Sequence, residues 1–122
     1  MVKIRTATGY LQDQKVDALL VNLFEGTELS GATAAVDKAA GNAVSRIVQL
    51  GDFSGELNST TVVYCDDAIF ADRIIVVGLG KKSDFTANRA LEAAATGFRT
   101  VRDLGVRAVA TVSFGGGAGG LQ

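Results

Sequence analysis

The chain has 122 residues, 48% of them apolar and 20% charged, a length and mix that suit one globular domain with a sizeable core. A net charge of −1 argues against a dedicated nucleic-acid binder, a single cysteine, Cys65, leaves no internal disulfide, and the absence of histidine removes the commonest general base and metal ligand. No apolar run reaches the roughly 20 residues that a bilayer-spanning helix needs, and the opening MVKIRTATGY has no apolar signal core, so a cytoplasmic setting is expected.

In chain order, VKIRTAT (2–8) alternates apolar and polar residues and predicts a half-buried strand, while DALLVNLF (17–24) is a continuous apolar run and predicts a buried one. ELSGATAAVDKAAGNAVSRIVQLGD (28–52) is helical in pattern. Val36, Ala40, Val44, Ile47 and Val48 recur at spacings that give one apolar face. Ser30 or Thr33 is the expected cap, Gly51 the left-handed stop, and Gly41-Asn42 the site of a kink or of a break into two helices. TTVVYC (60–65) and RIIVVGL (73–79) are β-branched runs that predict two further strands. SDFTANRALEAAATGFRTVRDLG (83–105) gives the clearest helix, with Ser83 or Thr86 as cap and Gly105 as stop. Its predicted buried stripe is Ala87, Ala90, Leu91, Ala94, Phe98, Val101 and Leu104, and Arg99 and Asp103 are spaced for a surface pair. VRAVATVSF (106–114) predicts a last buried strand, and GGGAGGLQ (115–122) a flexible tail or linker. Alternating strands and helices, with β-branched runs lacking a strict period of two, predict an α/β domain. Its mixed, mostly parallel sheet should be covered by helices on both faces, in three α/β/α layers.

The stretch IIVVGLGKK (74–82) raises the possibility of a phosphate-cradling loop. A P-loop requires G-x-x-x-x-G-K-[ST], because the lysine reaches the phosphates and the hydroxyl holds magnesium. Here Lys82 follows Lys81, and Ile75 stands five residues before Gly80, so the motif fails at both ends. A dinucleotide fingerprint fails as well, because Ser83 occupies the third glycine position. Glycine there serves the structural reading, a strand that must turn towards a helix. Asp66-Asp67 reads as a solvated turn. Cys65 reads as a small core residue with no cation close in sequence to lower its pKa. Lys81, Lys82, Arg89, Arg99, Arg102 and Arg107 read as solubilising charges, and no catalytic constellation emerges from the residues alone.

Order and wording carry more than any one motif. An apolar strand runs through Leu29-Ser30-Gly31 to a helix ending in Gly51-Asp52-Phe53. STTVVY follows, and then ADRIIVVGLGKKSDFTANRALEAAATGFRTVRDLGVRAVA. Over roughly residues 14–113 this resembles the N-terminal domain of the leucyl aminopeptidase (cytosol aminopeptidase) family. The resemblance implies a macro-domain-like fold for residues 1–114 and a glycine-rich linker, 115–122, leading towards a catalytic domain. It also implies a parent enzyme that releases N-terminal amino acids from peptides with two divalent metal ions, zinc or manganese. In the family the metal ligands, the catalytic lysine and arginine and the motif N-T-D-A-E-G-R lie in the C-terminal domain, so no catalytic or metal-binding residue carries over onto this chain. The family's enzymes are usually hexamers with the N-terminal domains outermost, which implies a role in assembly and active-site access. Some bacterial members bind DNA, which the charge balance here does not support. Macro domains hold ADP-ribose with glycine-rich loops after their strands. The alternative is therefore a free-standing module for an ADP-ribose-type ligand, with Gly78, Gly80, Lys81, Gly115, Gly116 and Gly117 as the possible ligand loop. A clear acidic residue at the early adenine-holding position is missing.

Overall fold

A computed structural model describes residues 3–6, 15–29, 31–65 and 68–111. The two most apolar runs form the middle of the sheet. Strand β2, Ala18–Glu25, lies parallel to β4, Arg73–Lys81, with Leu19 opposite Ile74 and Val21 opposite Val76. Strand β5, Ala108–Thr111, pairs parallel to the other side of β2 and carries β1, Lys3–Thr6, parallel on its far edge. Strand β3, Thr60–Tyr64, is antiparallel to β4 and closes the order β1-β5-β2-β4-β3.

Side chains alternate across this sheet, and both faces are covered, which explains why β2 and β4 lack a polar period. Leu19, Val21, Leu23, Ile74 and Val76 face one way, onto Val36 of helix α1, Gly31–Ala39, and Val44 of helix α2, Ala43–Gln49. Ala18, Leu20, Phe24, Ile75, Val77 and Leu79 face the other way, onto Ala93 and Val101 of helix α3, Ala87–Asp103. Leu19, Leu20, Ile74 and Ile75 are completely buried, and each contributes about 2 kcal/mol by leaving water. The three α/β/α layers and the mixed, mostly parallel sheet are as the sequence predicts.

The helical pattern over 28–52 breaks in two. Asn42, at φ 66°, takes a left-handed conformation between α1 and α2. Gly51, at φ 82°, ends α2, and its N–H donates to the Val48 carbonyl at 3.1 Å. Thr33 is no cap. It lies inside α1, buried, and its hydroxyl donates to the Asn22 carbonyl of β2 at 2.8 Å. The alternative cap, Ser30, lies outside the described residues.

Thr86 caps α3 as expected, accepting from the Arg89 N–H at 3.2 Å, and Gly105, at φ 73°, stops it. Ser83 sits instead in a single 3-10 turn, Lys82–Asp84. The stripe of α3 is corrected. Val101 is buried and Phe98 packs partly buried against the core, as expected, but Ala87 is exposed, Leu91 is 69% exposed and Leu104 38%, while Ala93 and Gly97, outside the expected stripe, are buried. The helix approaches the sheet along its small residues. A Cβ on Gly97 would meet a Val77 methyl at 2.8 Å and a Leu20 methyl at 3.0 Å, so no bulky side chain fits on that line. The expected Arg99–Asp103 pair does not form. Arg99 donates to the Thr96 hydroxyl at 3.0 Å, and Asp103 pairs with its neighbour Arg102 at 3.3 Å in solvent.

Candidate functional site

The glycine stretch sits where β4 meets the segment 55–59. The strand does not turn at Gly78 and Gly80, as expected, but runs through both to Lys81 before the 3-10 turn. The Gly78 N–H donates to the Ser59 carbonyl at 2.8 Å, and the Gly78 carbonyl accepts from the Asn58 N–H at 3.1 Å. The Gly80 N–H donates to the Gly55 carbonyl at 2.9 Å. Both glycines are buried, and both amides are used inside the fold.

Each glycine has its own cause. A Cβ on Gly78 would lie 1.9 Å from the Glu56 carbonyl oxygen and 2.6 Å from Gly55 backbone atoms, so the close passage of segment 55–56 demands a bare backbone. Gly80 has φ +76°, at the point where the pairing jumps from Leu23–Gly78 to Glu25–Lys81 and β4 accommodates an extra residue as a bulge. Lys81 follows with its side chain exposed. Gly115, Gly116 and Gly117 lie outside the described residues, as do Asp66 and Asp67. Cys65, partly buried, joins the core on the α1/α2 face, as the sequence suggests. Lys81, Lys82, Arg99, Arg102 and Arg107 are exposed, and Arg89 is half-buried.

A cleft of about 630 Å³ opens between the β2–α1 connection and the two short helices, lined by Thr27, Glu28, Asp37, Lys38, Ser45 and Gln49 among others. Its buried acid is Asp37, which sequence reading missed. One carboxylate oxygen accepts from the Val44 and Ser45 N–H groups at 2.8 and 2.9 Å, and the other accepts from the Ser45 hydroxyl. Asp37 thus caps α2 from the helix before it, because Asn42 at the cap position makes no side-chain bond. An aspartate on the apolar side of a helical pattern, just before a Gly-Asn break, is the signal that could have marked it. Ser45 donates to Asp37 and has no histidine to take its proton, so the pair is a cap and not an activated nucleophile.

Asp17 is committed likewise, accepting from the Arg107 and Ala108 N–H groups at 3.0 and 3.1 Å and tying the start of β2 to the start of β5. Among the described residues no three of His, Cys, Asp and Glu come together to hold a metal ion, so a two-metal centre does not fit the donors present there. No helix among the described residues is long and apolar enough to cross a membrane.

Comparison with known proteins accords with this geometry. The family model for the N-terminal domain of the cytosol aminopeptidase family matches residues 20–116. A probable cytosol aminopeptidase of Ralstonia pickettii is 39% identical over 87 residues, covering 71% of this chain and 17% of the relative. One of Burkholderia mallei is 35% identical over 104 residues, covering 85% of this chain and 20% of the relative. The chain therefore spans about a fifth of the length of such relatives. Among solved structures, the macrodomain of Mycobacterium tuberculosis DarG superposes with a TM-score of 0.77 at 19% identity, covering all of this chain and 83% of that one. A tomato leucine aminopeptidase mutant superposes with a TM-score of 0.71 at 16% identity, over 96% of this chain and 24% of the enzyme. The macrodomain-like fold is shared by both.

Proposed function

The chain belongs to the cytosol aminopeptidase family as its N-terminal domain, and from that premise we propose that it is the non-catalytic part of a metal-dependent aminopeptidase. In this reading residues 1–114 form the domain, and 115–122 lead as a linker to a C-terminal domain that carries the two divalent metal ions, zinc or manganese, and releases N-terminal residues from peptides. This domain shapes assembly, as a hexamer in the cytoplasm, and access to the active site. The supporting observation is the family match over residues 20–116, in a chain where two of the acids, Asp17 and Asp37, are spent on its own backbone. The test has two arms. The 122-residue chain should release no product from a leucyl amide with zinc or manganese present, and hydrolysis would overturn the reading. The reading frame beyond Gln122 should encode N-T-D-A-E-G-R with flanking Lys, Asp and Glu ligands, and a frame without them would overturn it too.

The likeness to the DarG macrodomain favours a second reading, a module for an ADP-ribose-type ligand at Gly78, Gly80, Lys81 and Gly115, Gly116, Gly117. Because the Gly78 and Gly80 amides are already bonded, the contacts to an anion would come from Lys81 and the 115–117 backbone. Calorimetric titration with ADP-ribose decides it: no heat at millimolar ligand ends this reading.

A further inference from the structure

Strand β3 pairs only one of its edges among the described residues, and the hydrogen bonds at its ends reveal which groups are left over. The Ser59 carbonyl accepts from Gly78, and the Cys65 N–H donates to the Asp72 carbonyl at 2.8 Å. In an antiparallel ladder such bonds fall on alternate residues, so the Ser59 carbonyl, Thr61, Val63 and the Cys65 N–H turn to β4, while the Ser59 N–H donates to the Glu56 carbonyl at 3.0 Å. Thr60, Val62 and Tyr64 turn theirs outward. Thr60 is exposed, and Tyr64 is 70% exposed.

Sheet edges usually carry lysine, proline or a bulge that prevents further pairing. From Ser59 to Cys65, by contrast, there is neither a charge nor a proline, the run Thr-Thr-Val-Val-Tyr favours strand, and its register with β4 is unbroken. We propose that the β3 edge is a self-association surface, on which a second copy of this chain adds its own β3 antiparallel about a two-fold axis through Val62. The outward groups then match without remainder. Thr60 faces the partner's Tyr64, Val62 faces the partner's Val62, and each facing pair exchanges two backbone hydrogen bonds. A neutral edge meets a neutral edge, and Tyr64 covers the partner's β-branched Thr60 on the α3 face, a favourable cross-strand pair. The surface stands independently of the aminopeptidase reading.

One short strand pair buries far less than the about 1,200 Å² of a stable specific interface, so the contact is weak, with a dissociation constant of about 0.1–1 mM for the isolated chain. Amide hydrogen exchange of the 122-residue chain tests it residue by residue. Raising the concentration from about 0.05 to about 2 mM should slow exchange at Thr60, Val62 and Tyr64 about three-fold by mass action, while Thr61 and Val63, bonded to β4, stay unchanged. The exposed-site double variant T60E/Y64E, which sets like charges opposite one another, should abolish the concentration dependence. The variant T60E/Y64K, which sets opposite charges there, should restore it. Three results would each overturn the proposal: no concentration dependence at these amides, protection already complete in dilute solution, or association that persists in T60E/Y64E.

Discussion

Replacing Gly78 by alanine separates the architectural role of the glycine stretch from a ligand-binding one. The added methyl would stand 1.9 Å from the Glu56 carbonyl oxygen, where ordinary contact begins beyond 3 Å, so segment 55–56 must retreat by more than an ångström. That segment is held by the bonds Gly80 to Gly55, Gly78 to Ser59 and Asn58 to Gly78, all between 2.8 and 3.1 Å. At about 1 kcal/mol net each, losing the three costs about 3 kcal/mol. With a urea m-value of about 1.5 kcal/mol/M, the midpoint of a denaturation curve followed by circular dichroism should fall by about 2 M. Gly105→Ala is the control. Its φ is +73° but nothing stands within 4 Å, so only backbone strain of about 1 kcal/mol applies. If Gly78→Ala loses no more stability than Gly105→Ala, the close-approach reasoning is wrong. A normally stable variant with altered ligand heats would return the stretch to a binding role.

Asp37→Ala leaves the N–H groups of Val44 and Ser45 without their acceptor inside the fold, and should cost about 2–3 kcal/mol by urea denaturation, with exchange of the α2 amides accelerated first. Thr86→Ala removes the α3 cap and should cost about 1 kcal/mol in the same assay. Leu91→Gln should shift stability by less than about 0.5 kcal/mol, whereas Ala93→Leu should cost about 2 kcal/mol by overpacking a completely buried site. The reverse order would place the helix stripe where hydrophobicity alone puts it.

The layered α/β fold was legible in the sequence because its signals are local. Two-sided burial writes continuous apolar runs at β2 and β4, and a capping threonine and a left-handed glycine mark the ends of α3. The family likeness was legible for a different reason, since order and spacing along the chain survive where single motifs do not. The phase of α3 was legible only in part, at Phe98 and Val101. Leu91 and Leu104 outweigh Gly97 on any hydrophobicity scale, yet the contact line is chosen by how near Val77 and Leu20 stand, which is a distance between residues 20 to 77 positions apart. The role of Asp37 was hidden likewise, because its partners at Val44 and Ser45 reach it only after the chain reverses at Asn42. In the glycine stretch the sequence by itself determined that a backbone of unusual freedom was needed after the strand. Only the tertiary structure decided why: one glycine admits the backbone of segment 55–56, and the other takes a positive φ at a bulge. A local pattern records what a residue permits, and the neighbour that requires it arrives from elsewhere in the chain.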